Sequence, residues 1–320
     1  MIQEKLTYGD VLLVPKFNPM DSRSDVSTGT RLGNHSLRIP LISANMDTIT
    51  GEHMARVMDD AGGLGILNRY FTVSETITIL ERFKATPSIG IKEADHIALE
   101  LYRKYTDSIC IDTAHAHTVR AFSMTASAKK LGYNTIIVGN VATAGGAAYL
   151  EAAGANVIKV GIGPGSMCTT REKTGCGYPQ LSAVMEVRAA LGQTTHIIAD
   201  GGIESSGDIV KALAAGAQAV MIGKLFAGTS ECLDRTRYRG MASVGAQRDA
   251  GKTGKYIEGD SVKFAQGTNF MSVSTRIEGL MSGVRSGMTY CGASNLAELY
   301  ANAEFIRVTS SGRGESAVRG

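Results

Sequence analysis

The stretch KVGIGPGSMCTTREKTGCGYPQ, residues 159–180, places three glycines and Pro164 ahead of Ser166 and sets Cys168 beside a pair of threonines. Glycines let main chain approach a ligand closely. A thiol flanked by backbone N–H groups and hydroxyls can be held as a thiolate and attack an electrophilic carbon. Cys168 is therefore the candidate nucleophile. The carbonyls of Gly163, Gly165 and Cys168 lie close enough along the chain to face one hard monovalent cation together. The other cysteines, Cys110, Cys176, Cys232 and Cys291, are scattered at spacings that fit neither a disulfide framework nor a CxxC metal site. They read as reduced thiols serving as small apolar side chains. His115 and His117 come without a third ligand, so they read as hydrogen-bonding or cofactor-facing groups and no transition metal is assigned.

The elements that must position these residues are legible in the hydrophobic pattern. Short β-branched runs fall near 39–45, 63–68, 87–91, 108–113, 134–140, 156–161, 196–202 and 219–224, and each ends in a small or polar residue. Ala- and Leu-rich segments such as 118–131, 143–153 and 205–215 separate them as helices. Such alternation implies parallel strands joined by right-handed crossovers, and eight repeats close a (β/α)₈ TIM barrel. In a barrel, chemistry sits at the C-terminal ends of the strands. Asn45, Asn68, Asp112, Asn140, Gly161 to Gly165, Asp200 to Gly202 and Gly223 stand there. The glycines after the seventh and eighth runs, ahead of a helix near Ser205, suit a phosphate held by main-chain N–H groups.

The chain has 43% apolar and 20% charged residues and a net charge of +3, the balance of a globular protein without a nucleic-acid surface. No apolar run approaches the ~18 residues of a membrane span, and the N-terminus MIQEKLTYGDVLLVPKF has no secretory pattern. The expected location is the cytoplasm, and the expected partners are small molecules.

SANMDT, IDTAHAHT, GNVAT, VGIGPGSMCTTR, ADGGI, SGDIVKALAAGA, YRGMAS and SGVRSGMTYCGA, in that order, resemble the IMP dehydrogenase/GMP reductase family, and the likeness starts at LTYGDVLLVPKF and runs almost to the C-terminus. The resemblance implies a barrel in which Cys168 attacks C2 of a purine nucleoside monophosphate to give a thioimidate, with hydride exchanged with a nicotinamide cofactor. It implies phosphate contacts from Ser166, Gly202, Gly223 and Tyr238, Asp200 on the ribose, the Met241 backbone near the base, and Gly201 and Gly240 among the substrate-binding residues. Asp112, Thr113, Asn140 and Gly161 would face the cofactor. The GRGES segment near Glu315 resembles a cation-completing tail donated by a neighbouring subunit, which implies a homotetramer with K⁺.

The family runs two reactions, and two features favour reductive deamination of GMP to IMP by NADPH. The second run ends at Asn68 and the third starts at Pro87, leaving no room for an inserted regulatory domain. The segment YRGMASVGAQRDAGKTGKYIEGDSV lacks the Arg-Tyr pair that the resemblance associates with hydrolysis, whereas Thr170 and Glu258 resemble the pair that protonates the leaving ammonia. One barrel over 1–320 is expected, with an active-site loop at 161–180, a short flap at 240–275 and a tail at 305–320. The alternatives are an IMP dehydrogenase without the regulatory domain, an FMN-dependent barrel oxidoreductase and a non-catalytic nucleotide sensor.

Overall fold

Each of the eight apolar runs forms a strand: β1 (Leu41–Ser43), β2 (Leu64–Gly65), β3 (Ser88–Ile89), β4 (Ser108–Asp112), β5 (Thr135–Val141), β6 (Val157–Val160), β7 (His196–Asp200) and β8 (Ala219–Ile222). The computed structural model describes residues 2–249, 251, 259–263 and 271–316. The strands form one parallel sheet in the order β2-β1-β8-β7-β6-β5-β4-β3. A parallel bridge between Ile66 and Thr86 joins its two ends, so the sheet closes as a (β/α)₈ barrel.

Alternation along each strand builds two cores. On β4, Cys110 joins the barrel interior with Ile42, Ile137, Val157, Ile198, Ala219 and Met221. Its neighbours Ile109 and Ile111 instead face the surrounding helices. Those helices are α1 (Glu52–Ala61), α2 (Val73–Arg82), α3 (Asp95–Tyr102), α4 (Val119–Lys130), α5 (Ala144–Ala152), the short α6 (Thr170–Thr174), α7 (Gln180–Ala190), α8 (Ser206–Ala214), the short α9 (Val244–Asp249) and α10 (Val273–Tyr290). Hydroxyl caps set where several of them begin. Thr118, Thr143 and Ser205 accept the backbone N–H of Ala121, Gly146 and Asp208. Each such cap contributes about 1 kcal/mol.

A feature the hydrophobic pattern does not disclose is the hairpin of Thr30–Leu32 and His35–Leu37, which plugs the N-terminal end of the barrel. Leu32 and Leu37 enter the interior core. The turn is fastened to the first residues of three strands: the Gly33 amide donates to His196 Nδ1 (3.0 Å), the Asn34 amide donates to Thr135 Oγ1 (2.9 Å), and His35 Nε2 pairs with Ser108 Oγ (3.0 Å). The opposite, C-terminal end stays open.

Two further ribbons frame that open end. Val11–Leu13 pairs with Phe305–Arg307, and Arg237–Arg239, just after β8, pairs with Ser261–Lys263. The first ribbon directs the C-terminal segment. The Val308 amide donates to Asp10 O (2.9 Å), and the segment then turns back so that Arg313 packs against Gly9 and, with Ser316, lines the chain's own cavity. The segment lies over its own barrel, with Glu315 exposed at the helix end.

Candidate active site

The strand ends and loops at the open end surround a cavity of about 720 Å³. Its lining contains Asp112, Thr113, Asn140, Gly161, Gly163, Gly165, Ser166, Cys168, Thr170, Asp200, Gly201, Gly202, Gly223, Tyr238, Gly240 and Met241. Residues singled out from widely separated segments therefore meet in one place. Glu258 lies outside the described residues.

Cys168 sits half-buried in the loop after β6, and its Sγ donates to Thr170 Oγ1 at 3.1 Å. The amide of Cys168 donates to Gly165 O (3.0 Å), so residues 165–168 form a tight turn. The flap root is stitched to this turn. Gly259 bridges Cys168, the Asp260 amide donates to Met167 O (2.9 Å), and the Gly240 amide donates to Asp260 O (2.9 Å). Three other thiols differ sharply from Cys168. Cys110, Cys232 and Cys291 are buried, and burial raises each of them, Cys110 to about 12. Cys176 is exposed on the same loop.

On one side of the cavity, glycines and a phenol make a polar cradle. Gly201 and Gly202 have φ of +93° and +79°, the left-handed region that favours glycine. A Cβ on Gly223 would stand 2.8 Å from the Tyr238 hydroxyl, which accepts from Ser166 Oγ at 3.4 Å. Tyr238 is buried, and burial raises its phenol. The N-terminus of α8, capped by Ser205, opens onto the same side.

The floor carries an ion network. Lys159, at an inward position of β6, is 3% exposed and reaches Asp200 Oδ2 at 2.8 Å and Asp112 Oδ1 at 3.1 Å. Arg69 Nε donates to Asp112 Oδ2 (3.1 Å), and Asn140 Nδ2 donates to Asp200 Oδ2 (2.9 Å). Burial alone would raise the Asp112 carboxyl, but Lys159 and Arg69 hold it below the usual carboxylate range. Lys159 responds in the opposite sense: burial opposes its charge, and Asp200 and Asp112 outweigh that, so it stays an ammonium.

Met241 is held at the rim. Its carbonyl accepts from Tyr70 OH (2.8 Å) and Gln247 Nε2 (2.9 Å). Behind it, buried Arg239 joins Asp47 Oδ2 through Nη2 (2.6 Å) and Asp249 Oδ2 through Nη1 (2.7 Å). Lys159, Arg69, Tyr70 and Gln247 are site residues that the sequence reading missed. Only Lys159 carries a signal, a lone lysine inside an otherwise apolar strand. The two histidines prove to be ring contacts: His117 lies 5.1 Å from Tyr149, and His115 lies edge-on to His117 at 6.3 Å. Among the described residues no group of three or more His, Cys, Asp or Glu side chains is placed to share a metal ion.

Residues 5–319 match the sequence profile described as the IMP dehydrogenase / GMP reductase domain. The GMP reductase of Yersinia enterocolitica is 37% identical over 95% of this chain and 95% of its own length. That of Yersinia pestis is 36% identical at the same coverage. Among solved structures, a cysteine-to-alanine variant of the GMP reductase of Trypanosoma brucei, in complex with guanosine 5'-monophosphate, superposes with a TM-score of 0.91 at 25% identity, covering 100% of this chain and 98% of the other.

Proposed function

From the premise that the chain belongs to the IMP dehydrogenase/GMP reductase family, we propose that it reductively deaminates GMP to IMP and ammonia, using NADPH. The observation that carries this reading is the Cys168–Thr170 contact inside a cavity that also presents the glycine cradle and the Asp112–Lys159–Asp200 floor.

In this reading the nucleotide phosphate lies in the cradle of Ser166, Gly201, Gly202, Gly223, Tyr238 and Gly240, where backbone N–H groups and the α8 N-terminus favour an anion. Asp200 accepts from the ribose hydroxyls, and the Met241 backbone flanks the base. Cys168 then attacks purine C2. The 2-amino group leaves as ammonia once it gains a proton, which Thr170, together with Glu258, is set to deliver. The C–N bond breaks as the amine departs, and the thioimidate keeps the purine on Cys168. The chemistry NADPH would supply when bound is a hydride for C2, and Cys168 would then leave as the thiolate to free IMP.

The residues present fit such a cofactor. Asn140 Oδ1 is buried without a partner beside Asp112, an acceptor matched to a carboxamide N–H₂. Asp112, Thr113, Asn140 and Gly161 would hold the nicotinamide end. A K⁺ ion fits the donors of the Cys168 turn, the neutral carbonyls of Gly163, Gly165 and Cys168. Gly165 O has spent one lone pair on the Cys168 amide and keeps the other. The protein acts as a cytoplasmic homotetramer, with support for association from Phe17, 87% exposed, and from Leu12 and Ile306, exposed together on the terminal ribbon.

The test is an assay of GMP with NADPH, run beside IMP with NAD⁺ in the presence of K⁺. Loss of nicotinamide absorbance with ammonia release is the expected result. Formation of NADH and XMP from IMP would overturn the reading. Cys168→Ala is expected to abolish turnover while GMP still binds, and undiminished turnover would refute the covalent step.

A further inference from the structure

Lys159 stands apart from everything the sequence reading singled out. Among the described residues it is the one buried lysine, it projects into the barrel between two strand-end carboxylates, and neither of its partners is on its own strand. The network runs from Arg69 through Asp112 and Lys159 to Asp200, and Asn140, on the strand between Asp112 and Lys159, also reaches Asp200. Asp112 has both oxygens engaged, one by Lys159 and one by Arg69. Asp200 receives both Lys159 and Asn140 on Oδ2, so its Oδ1 takes a bond from neither.

We infer that Lys159 is a positioning residue that couples the nucleotide end of the site to the cofactor end, by sharing one ammonium between Asp200 and Asp112. This inference rests on the proposed function for which carboxylate meets which ligand. It adds that the two ends are energetically linked.

The physical argument is charge balance in a confined space. Asp112 and Asp200 stand within about 6 Å of each other across Nζ. Without the ammonium, two carboxylates would face one another in a poorly solvated floor and repel. That repulsion drives Asp200 from the position in which it meets the ribose diol and Asp112 from the position in which it meets the cofactor. Loss of Lys159 therefore damages both ends at once. Gly139 lets the two neighbouring strands meet beneath this network: a Cβ at 139 would stand 2.5 Å from Lys159 Cβ and 2.7 Å from its carbonyl oxygen.

The test uses direct binding of GMP and of NADP⁺, which cannot drive turnover, to the native protein, Lys159→Gln, Asp112→Asn and the double variant. Lys159→Gln is expected to weaken both ligands at least tenfold. Adding Asp112→Asn to Lys159→Gln removes the like-charge clash, so it is expected to restore GMP affinity at least threefold while NADP⁺ stays weak. In the native background Asp112→Asn gives no such gain. A merely structural lysine would show additive losses in this cycle. Native-like binding of both ligands by folded Lys159→Gln overturns the inference, as does additivity. If Lys159→Gln does not fold, the charge-balanced double variant carries the test, and a folded double variant that fails to bind GMP overturns it. Failure of the native protein to bind GMP would refute the proposed function itself, and this inference with it.

Discussion

Gly223→Ala probes the phosphate cradle with a single methyl group. The added Cβ would lie 2.8 Å from the Tyr238 hydroxyl and 3.1 Å from Met46 Sδ. Relief to ordinary contact asks the phenol to retreat by about 0.6 Å, and Tyr238, only 6% exposed, is packed against that movement. Overpacking of this kind costs about 1–3 kcal/mol of folding stability. The displaced hydroxyl also loses its place at the phosphate, and a hydrogen bond to a charged group is worth about 1.5–3 kcal/mol. Since 1.4 kcal/mol is tenfold in affinity, the expected loss is about 10- to 100-fold in GMP affinity. The assay compares GMP with guanosine, both by inhibition or direct binding. Guanosine has no phosphate to lose and is expected to bind within threefold of native. Tyr238→Phe should reproduce the phosphate-selective loss, and Gly223→Ala combined with it should cost little more. Equal losses for nucleotide and nucleoside, or none for either, would show that the phosphate does not sit against Tyr238.

Arg239→Met strands Asp47, whose side chain is 10% exposed and whose Oδ1 already lacks a partner, so a stability loss of about 3–5 kcal/mol is expected by denaturant titration; a loss below about 1 kcal/mol would mean that Asp47 does not rely on this ion pair. His35 and His196 are both lowered from 6.5, by burial in each case, so the unfolded chain takes up protons first as the pH falls. Stability is therefore expected to be intact above pH 6.5 and to decline below it, and replacing His196 with Gln should flatten that decline in thermal melts. Iodoacetamide followed by mass spectrometry should label Cys168 and Cys176 in the folded protein and leave Cys110, Cys232 and Cys291 untouched, with GMP protecting Cys168 alone.

Strands were legible because each barrel strand announces itself locally, as a β-branched run such as IIV in β5 or VIKV in β6 that ends in a turn former. Helix starts were legible for the same reason, since Thr118, Thr143 and Ser205 are caps that act within three residues of themselves. The glycine- and cysteine-bearing strand ends followed from strand direction. What stayed hidden depends on partners far apart in the chain. Arg239 meets Asp47 across 192 positions, and Gly33 meets His196 across 163. No local periodicity marks such pairs. Lys159 is intermediate: its type is anomalous in a buried strand, but which carboxylates neutralise it depends on barrel closure. The course of the tail stayed hidden for the same reason, since the Val308–Asp10 bond joins opposite ends of the chain.

The hairpin at Gly33 turns the barrel into a cup with a single opening. In the proposed reaction GMP, NADPH and the released ammonia would share that rim as their way in and out. If the proposed reaction holds, IMP is expected to inhibit competitively against GMP. The hairpin lines none of the cavity, yet by closing the far end it leaves the rim as the passage to the site.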